Sequence, residues 1–326
     1  MLSRMADSCY WLARYMERSE TNARALSSQL IHMLEESDQN TLDQNWEVLL
    51  DICTSKNDDD EHAPDLKSEQ VLHYLVRSRE NDNSLLHLLE LAREKARESR
   101  TLIPASIWEM INRLYLEKKE QLNGSLHSNA IQSHLGDLLD MSSNFQGIIE
   151  SSMLRGESYN FIKIGKWIER AETTARILKV TCEKMLAEKN YKDIEEFDYW
   201  LHALQLANGY DSFIMEHPLT LNPEEVFTFL IEEERFPRSI TYCVEHTLRA
   251  VEQLNPGRRP QYTEELVQLL ENTQRGIERT NIDEMSVEGL LRFLNGFLDH
   301  CDRINEVFSA TYNLGGFKSR SVGNSQ

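Results

Sequence analysis

The segment YMERSETNARAL at residues 15–26 returns as WIERAETTARIL at residues 167–178, a constant offset of 152 residues. Seven of the twelve aligned positions are identical: Glu17/Glu169, Arg18/Arg170, Glu20/Glu172, Thr21/Thr173, Ala23/Ala175, Arg24/Arg176 and Leu26/Leu178. At about 100° per residue, Leu12, Ser19, Ala23, Leu26 and Leu30 centre one face of a helix, flanked by Tyr15 and Met16. Arg14, Glu17, Thr21 and Arg24 fall within an arc of about 80° on the opposite side, with Glu20 beside them. The second copy repeats the pattern: Ala171, Ala175, Leu178 and Cys182 are apolar, and Lys166, Glu169, Thr173 and Arg176 lie opposite with Glu172 beside them.

Five of the seven shared identities are polar. An amphipathic helix needs apolar residues at fixed positions, but a solvated face needs only something polar. Repetition of the same acid, base and hydroxyl therefore asks for more than amphipathicity. Three readings stand side by side. The stripes are solvated faces carrying i,i+4 pairs (Glu20 to Arg24, Glu172 to Arg176), each worth about 0.2–0.5 kcal/mol. Or they are a buried Glu-Arg network between two related helices, where charges persist only if paired. Or they line a site for a substrate or partner.

The rest of the chain is helical in pattern. Periodicity over 5–36 is followed by TLDQNWEVLLDIC, where Thr41 and Gln44 have capping-box spacing. Residues 54–65 read as an acidic loop. Helices are expected over 67–79, 83–100, 104–119, 128–154 and 157–189, with Pro104 in a first turn. After YKDIEEFDYWLHALQLANG, Asn208-Gly209 is a stop signal. Asn222 as N-cap, Pro223 at N1 and Glu225 at N3 start the next helix, and further helices are expected at 238–254, 262–278 and 286–312. No strand-turn-strand pattern emerges, so the expected fold is all-α: a single large helical bundle built from two pseudo-repeated halves.

A net charge of −19 repels phosphate backbones, which argues against a nucleic-acid partner but leaves room for a local cationic pocket. Five scattered cysteines with no C-x-x-C pair read as reduced thiols. The opening mixes charges without an apolar core, so no signal peptide is expected, and no apolar run approaches the ~20 residues of a membrane span. A soluble, cytoplasmic protein is the expectation. The ten histidines never reach a close ligand spacing, and phosphate-cradling glycine motifs are missing, so neither a metal nor a cofactor is implied.

Four segments, SRMADSCYWLARYMERSETNAR, GKWIERAETTARIL, IWEMINRLY and RFPRSITYC, together resemble the bacterial alpha-E domain family, in order and over nearly the whole chain. The resemblance implies an all-helical domain over 1–315, with pseudo-repeats at about 1–154 and 155–315 and a flexible tail at 316–326. Genes of that family accompany an ATP-grasp ligase and a transglutaminase-like peptidase. The resemblance thus implies a role, with those partners, in an ATP-dependent pathway that forms or modifies peptide or amide bonds. The family motif falls on Arg14, Glu17, Arg18, Glu20 and Arg24, on Glu169, Arg170, Glu172 and Arg176, on Trp108, Glu109 and Asn112, and on Pro237, Arg238 and Ser239. Lys166 stands where an arginine is expected, which keeps the charge but loses the bidentate fork.

Two functions follow. In the first, the protein handles a small anionic or peptide substrate: Glu17 and Glu169 approach each other as general acid or base, and Arg14, Arg18, Glu20, Arg24, Glu109, Asn112, Arg170, Glu172, Arg176, Arg238 and Ser239 form the binding set. Pro237 in a first helical turn would leave Arg238 and Ser239 at a positive helix end able to cradle an anion. In the second, the protein is a non-catalytic module that docks the ligase or peptidase, or pairs with itself as a homo-oligomer, and the Glu-Arg motifs hold its helices in register.

Overall fold

The computed structural model describes residues 3–35, 39–54, 68–122, 128–187, 193–217, 222–254 and 261–312. Among them are thirteen α-helices, one short 3₁₀ turn and no strand. The helices are α1 (Ser3–Glu35), α2 (Gln39–Cys53), α3 (Ser68–Arg77), α4 (Leu85–Glu98), α5 (Ala105–Gln121), α6 (Ser128–Ser152), α7 (Glu157–Ala187), α8 (Asp193–Leu206), α9 (Tyr210–Glu216), α10 (Pro223–Glu232), α11 (Ile240–Leu254), α12 (Gln261–Glu278) and α13 (Val287–Tyr312). The fold is all-α.

The two repeat segments sit on the longest helices, α1 with 33 residues and α7 with 31. These helices pack against each other in the middle of the molecule. Contacts advance in the same sense along both, from Tyr10 beside Gly165 to Arg18 beside Glu169, so the pair runs parallel. Each then gathers flanking helices. Against α1 lie α4, running the other way (Lys95 to Asp7, Arg18 to Asn83), and α6 (Gln146 to Glu17, Gln132 to Ser27). Against α7 lie α11, also reversed (Thr174 to Arg238, Trp167 to His246), and α13 (Glu172 to Asn305, Phe161 to Tyr312). One contiguous apolar cluster runs through all of these elements. With neighbours around most of their circumference, α1 and α7 bury the carboxylates of their polar stripes.

Local signals set the ends. Asn222 caps α10 by accepting the Glu224 N–H at 3.0 Å, with Pro223 following at N1. At the end of α8 the Gly209 N–H reaches Leu204 O at 2.7 Å and the Asn208 N–H reaches Gln205 O at 3.0 Å, the paired bonds of a Schellman motif. The left-handed residue is Asn208 (φ 52°) rather than the glycine. Three expected starts move. Helix α2 begins at Gln39, which puts Thr41 inside it rather than at its cap, and Pro104 precedes α5 as N-cap. Pro237 lies in the turn before α11, whose cap is Ser239: its Oγ accepts the Tyr242 N–H at 3.1 Å and donates to Glu233 O at 2.6 Å. The acidic loop falls mostly, and the terminal tail wholly, outside the described residues.

All five cysteines are buried and unpaired, and burial pushes the thiols of Cys9, Cys53, Cys182 and Cys243 up to about 12. No helix among the described residues is long and apolar enough to cross a membrane.

Candidate functional site

The stripes of α1 and α7 face each other. Arg18 clasps Glu169 with two bonds, Nε to Oε1 at 2.7 Å and Nη2 to Oε2 at 2.9 Å. Arg170 clasps Glu17 in the same manner, Nε to Oε2 at 2.7 Å and Nη2 to Oε1 at 3.1 Å. Each Glu-Arg step thus gives its carboxylate to the other helix and takes that helix's carboxylate in return. Bidentate guanidinium-carboxylate pairs are the strongest and most directional contacts available to these side chains.

The second carboxylate of each copy extends the network. Glu172 accepts from Arg14 Nη2 at 2.6 Å and Asn305 Nδ2 at 2.7 Å. Glu20 accepts from Arg24 Nη2 at 3.0 Å, from Ser142 Oγ at 2.7 Å and from Arg238. Arg14 spans the copies by also donating to Glu169 at 2.6 Å, while its Nη1 serves Tyr10 and Asn305. Gln146 Nε2 completes Glu17 at 2.6 Å. Every oxygen of Glu17, Glu20, Glu169 and Glu172 therefore accepts at least one hydrogen bond, and all four residues are buried.

Further contacts come in matched pairs. Asn22 Nδ2 donates to Asn83 O at 2.9 Å, and Thr174 Oγ1, at the corresponding position of α7, donates to Arg238 O at 2.8 Å. Ser84 before α4 and Ser239 before α11 are both wholly buried. The match breaks at one place. Arg14 makes two ion pairs, whereas Lys166, its counterpart, donates to the neutral Gln146 Oε1 at 2.8 Å. The carboxylates it would need, Glu17 and Glu20, are held by Arg170 and Arg238.

Electrostatics follow the pairing. Burial pushes the Glu169 carboxyl up, but the Arg18 and Arg14 charges outweigh it and hold it at about 2. Burial likewise raises Glu20, and Arg238, Arg170 and the Ser142 hydroxyl bring it down to about 2. For Arg14, burial opposes the charge, yet Glu172 and Glu169 raise it well above the usual range. Arg238 is drawn below the usual range by burial and by Arg170 against the pull of Glu20, but guanidinium stays charged at any ordinary pH. Glu169 is thus an ionised, sequestered carboxylate rather than a proton donor or acceptor at neutral pH.

A pH dependence follows. Carboxyls lowered from 4.5 to about 2 stabilise the fold fully above the unfolded value and lose that contribution as pH falls toward the folded one. Denaturant midpoints followed by circular dichroism are expected to hold near neutrality and drop steeply between about pH 4.5 and 2. A flat midpoint through that window would contradict the buried pairing.

The other expected site residues lie elsewhere. Arg238 joins the network from the turn before α11, but it turns inward to Glu20, and Ser239 is spent on capping, so no anion cradle forms there. Arg176 is half-buried, its Nη1 3.5 Å from Ile52 O. Asn112 accepts from Arg93 Nε at 2.8 Å, Trp108 is half-buried with Arg93 and Arg100 over its ring, and Glu109 is exposed. Asn112 and Trp108 meet Arg93 of α4, and none of the three has a hydrogen bond to the network among those described. Sequence reasoning missed Tyr10, Asn83, Ser142, Gln146 and Asn305, single residues in helices or turns with no repeat to mark them.

Comparison with known proteins gives one match. The family model named Alpha-E, described as a predicted alpha-helical domain with a conserved ER motif, covers residues 1–312. Neither the curated proteins nor the solved structures yield a match. Glu-Arg steps of the kind that description names occur at Glu17-Arg18, Glu169-Arg170, Glu234-Arg235 and Glu278-Arg279, and the first two exchange partners at the centre of the bundle. Matched over nearly its entire length, this chain belongs to the Alpha-E family.

Proposed function

We propose that the protein is a non-catalytic helical module of an ATP-dependent amide- or peptide-modifying pathway, and that its repeated Glu-Arg steps are a structural lock between two related halves. The observation that carries this reading is the saturation of the four carboxylates: each oxygen is already bonded, and the motif glutamates are buried. A general acid or base needs a free oxygen within reach of substrate. Glu17 and Glu169 have arginines there instead.

Buried ion pairs seldom add net stability over apolar packing, since desolvation consumes most of the Coulomb gain. Their value lies in specificity. A one-turn slip of α7 along α1 would leave four buried acids and their arginines mismatched, while an apolar seam would tolerate it. The lock therefore selects one parallel register. An ATP-grasp-type ligase and a transglutaminase-like peptidase are the partners that the family resemblance suggests for the surface so fixed.

Coexpression with such a ligase tests the proposal. Capture of the ligase is expected to track the folded fraction of the protein, equally in wild type and in Glu17→Gln. A well-folded Glu17→Gln variant that still binds the ligase but abolishes amide formation would assign Glu17 a chemical role and overturn the reading.

A further inference from the structure

Beside the lock, α7, α11 and the end of α6 enclose an open cleft of about 610 Å³, within the usual size range for small-molecule sites. Its walls are Tyr159, Trp167, Tyr242 and His246. Tyr242 and His246 stack at 3.7 Å between ring centres, and the Trp167 ring meets Tyr242 edge-on at 5.3 Å. Its charged residues are mostly matched: Lys163 pairs with Glu150 at 2.5 Å, Arg170 with Glu17, and Arg249 with Glu245. Lys166 is different. Its ammonium lies 4.3 Å from the Trp167 ring centre, it is buried, and its hydrogen-bond partner is the neutral Gln146 amide. Burial, then the neighbouring Arg170 charge, brings its pKa down to about 7, and no carboxylate among the described residues forms an ion pair with it. Asn160, also lining the cleft, has a buried Oδ1 without a hydrogen-bond partner, an acceptor suited to an N–H donor.

We propose that this cleft is a binding site for a small carboxylate with an aromatic or apolar body and an N–H donor, its carboxylate paired with Lys166 and its body against Tyr242 and His246. The counterpart position explains why the cation is left without an acid on this side. Arg14 spends its charge on Glu169 and Glu172, whereas Arg238 takes the carboxylate that would have quenched Lys166. The carboxylate supplies the missing anion. The Glu150 carboxylate on the same cleft disfavours a dianion such as phosphate. The inference is independent of the lock, whose ion pairs do not include Lys166.

Calorimetric titration of the full chain with N-acetyl-L-phenylalanine, its carboxamide and inorganic phosphate tests it. The acid is expected to bind, the amide about tenfold or more weaker, and phosphate more weakly than the acid. Lys166→Met removes a buried charge without an acidic partner and is expected to fold normally while losing the acid at least tenfold. Tyr242→Ala, on the facing helix, is expected to weaken the acid and the amide alike. Equal binding of acid and amide, tighter binding of phosphate, no binding of the acid, or an unchanged affinity in folded Lys166→Met would each overturn the proposal.

Discussion

Replacing Glu169 with glutamine is expected to lower the unfolding free energy by about 3–5 kcal/mol, the cost of breaking one side of a buried ion pair. Glu169 is the most enclosed of the four acids, 0 % exposed, and it alone serves two arginines of the other helix. Glutamine keeps the shape but not the charge. Its amide nitrogen would point a donor at the donors of Arg14 or Arg18, because both carboxylate oxygens now accept from guanidinium groups. Water cannot enter to compensate at such a depth. Chemical denaturation followed by far-ultraviolet circular dichroism measures the loss. A change below about 1 kcal/mol, the scale of an exposed pair, would mean the carboxylate is solvated after all.

Substitution of Gly165 by alanine is also expected to destabilise the fold, by about 1–2 kcal/mol net. A Cβ at this position would stand 2.4 Å from the backbone oxygen of Tyr10 and 3.3 Å from Ala13 Cβ. Alanine gains about 1 kcal/mol in helix propensity over glycine, which favours the variant. Overpacking against a rigid helix backbone typically costs 1–3 kcal/mol and here exceeds that gain, because no side-chain rotation relieves a clash with a carbonyl. The helices must separate, and the Arg18-Glu169 and Arg170-Glu17 clasps begin one turn further on. A melting temperature equal to or above wild type would show that α1 and α7 do not approach so closely.

The helices were legible because their apolar periodicity and end signals are local. The Asn222-Pro223 start and the Asn208-Gly209 stop hold at the expected residues. Pro237 misleads, since proline suits the first turn of a helix, and here it sits in the preceding turn while Ser239 supplies the cap two residues later. The repeat singled out Glu17, Glu20, Glu169 and Glu172, all of which the fold buries, because repeated acids and bases exceed what a wet surface demands, but it left open whether they faced solvent, each other or a ligand. It could not say which acid meets which base. The exchange of Glu17 and Glu169 between helices depends on their parallel packing, a tertiary fact without a local signature. Arg238 reaches Glu20 across 218 positions of sequence, and Asn305 and Ser142 enter from helices with no motif of their own. Lys166 stood out in the sequence as a member of the second stripe and as a substitution for arginine, but the cleft that gives it meaning needs Tyr242 and His246 of α11, remote in sequence.

A double-mutant cycle on Glu17 and Arg170 tests the lock most directly. The variants Glu17→Gln, Arg170→Gln and the pair together are measured by denaturant unfolding at neutral pH. Each single change is expected to be costly because it strands the partner's charge. The double change should restore much of the loss, with a coupling of about 2–3 kcal/mol, at the upper end for contacting residues. Additive losses with no coupling would show that the two side chains do not hold each other, and the central clasp would have to be abandoned.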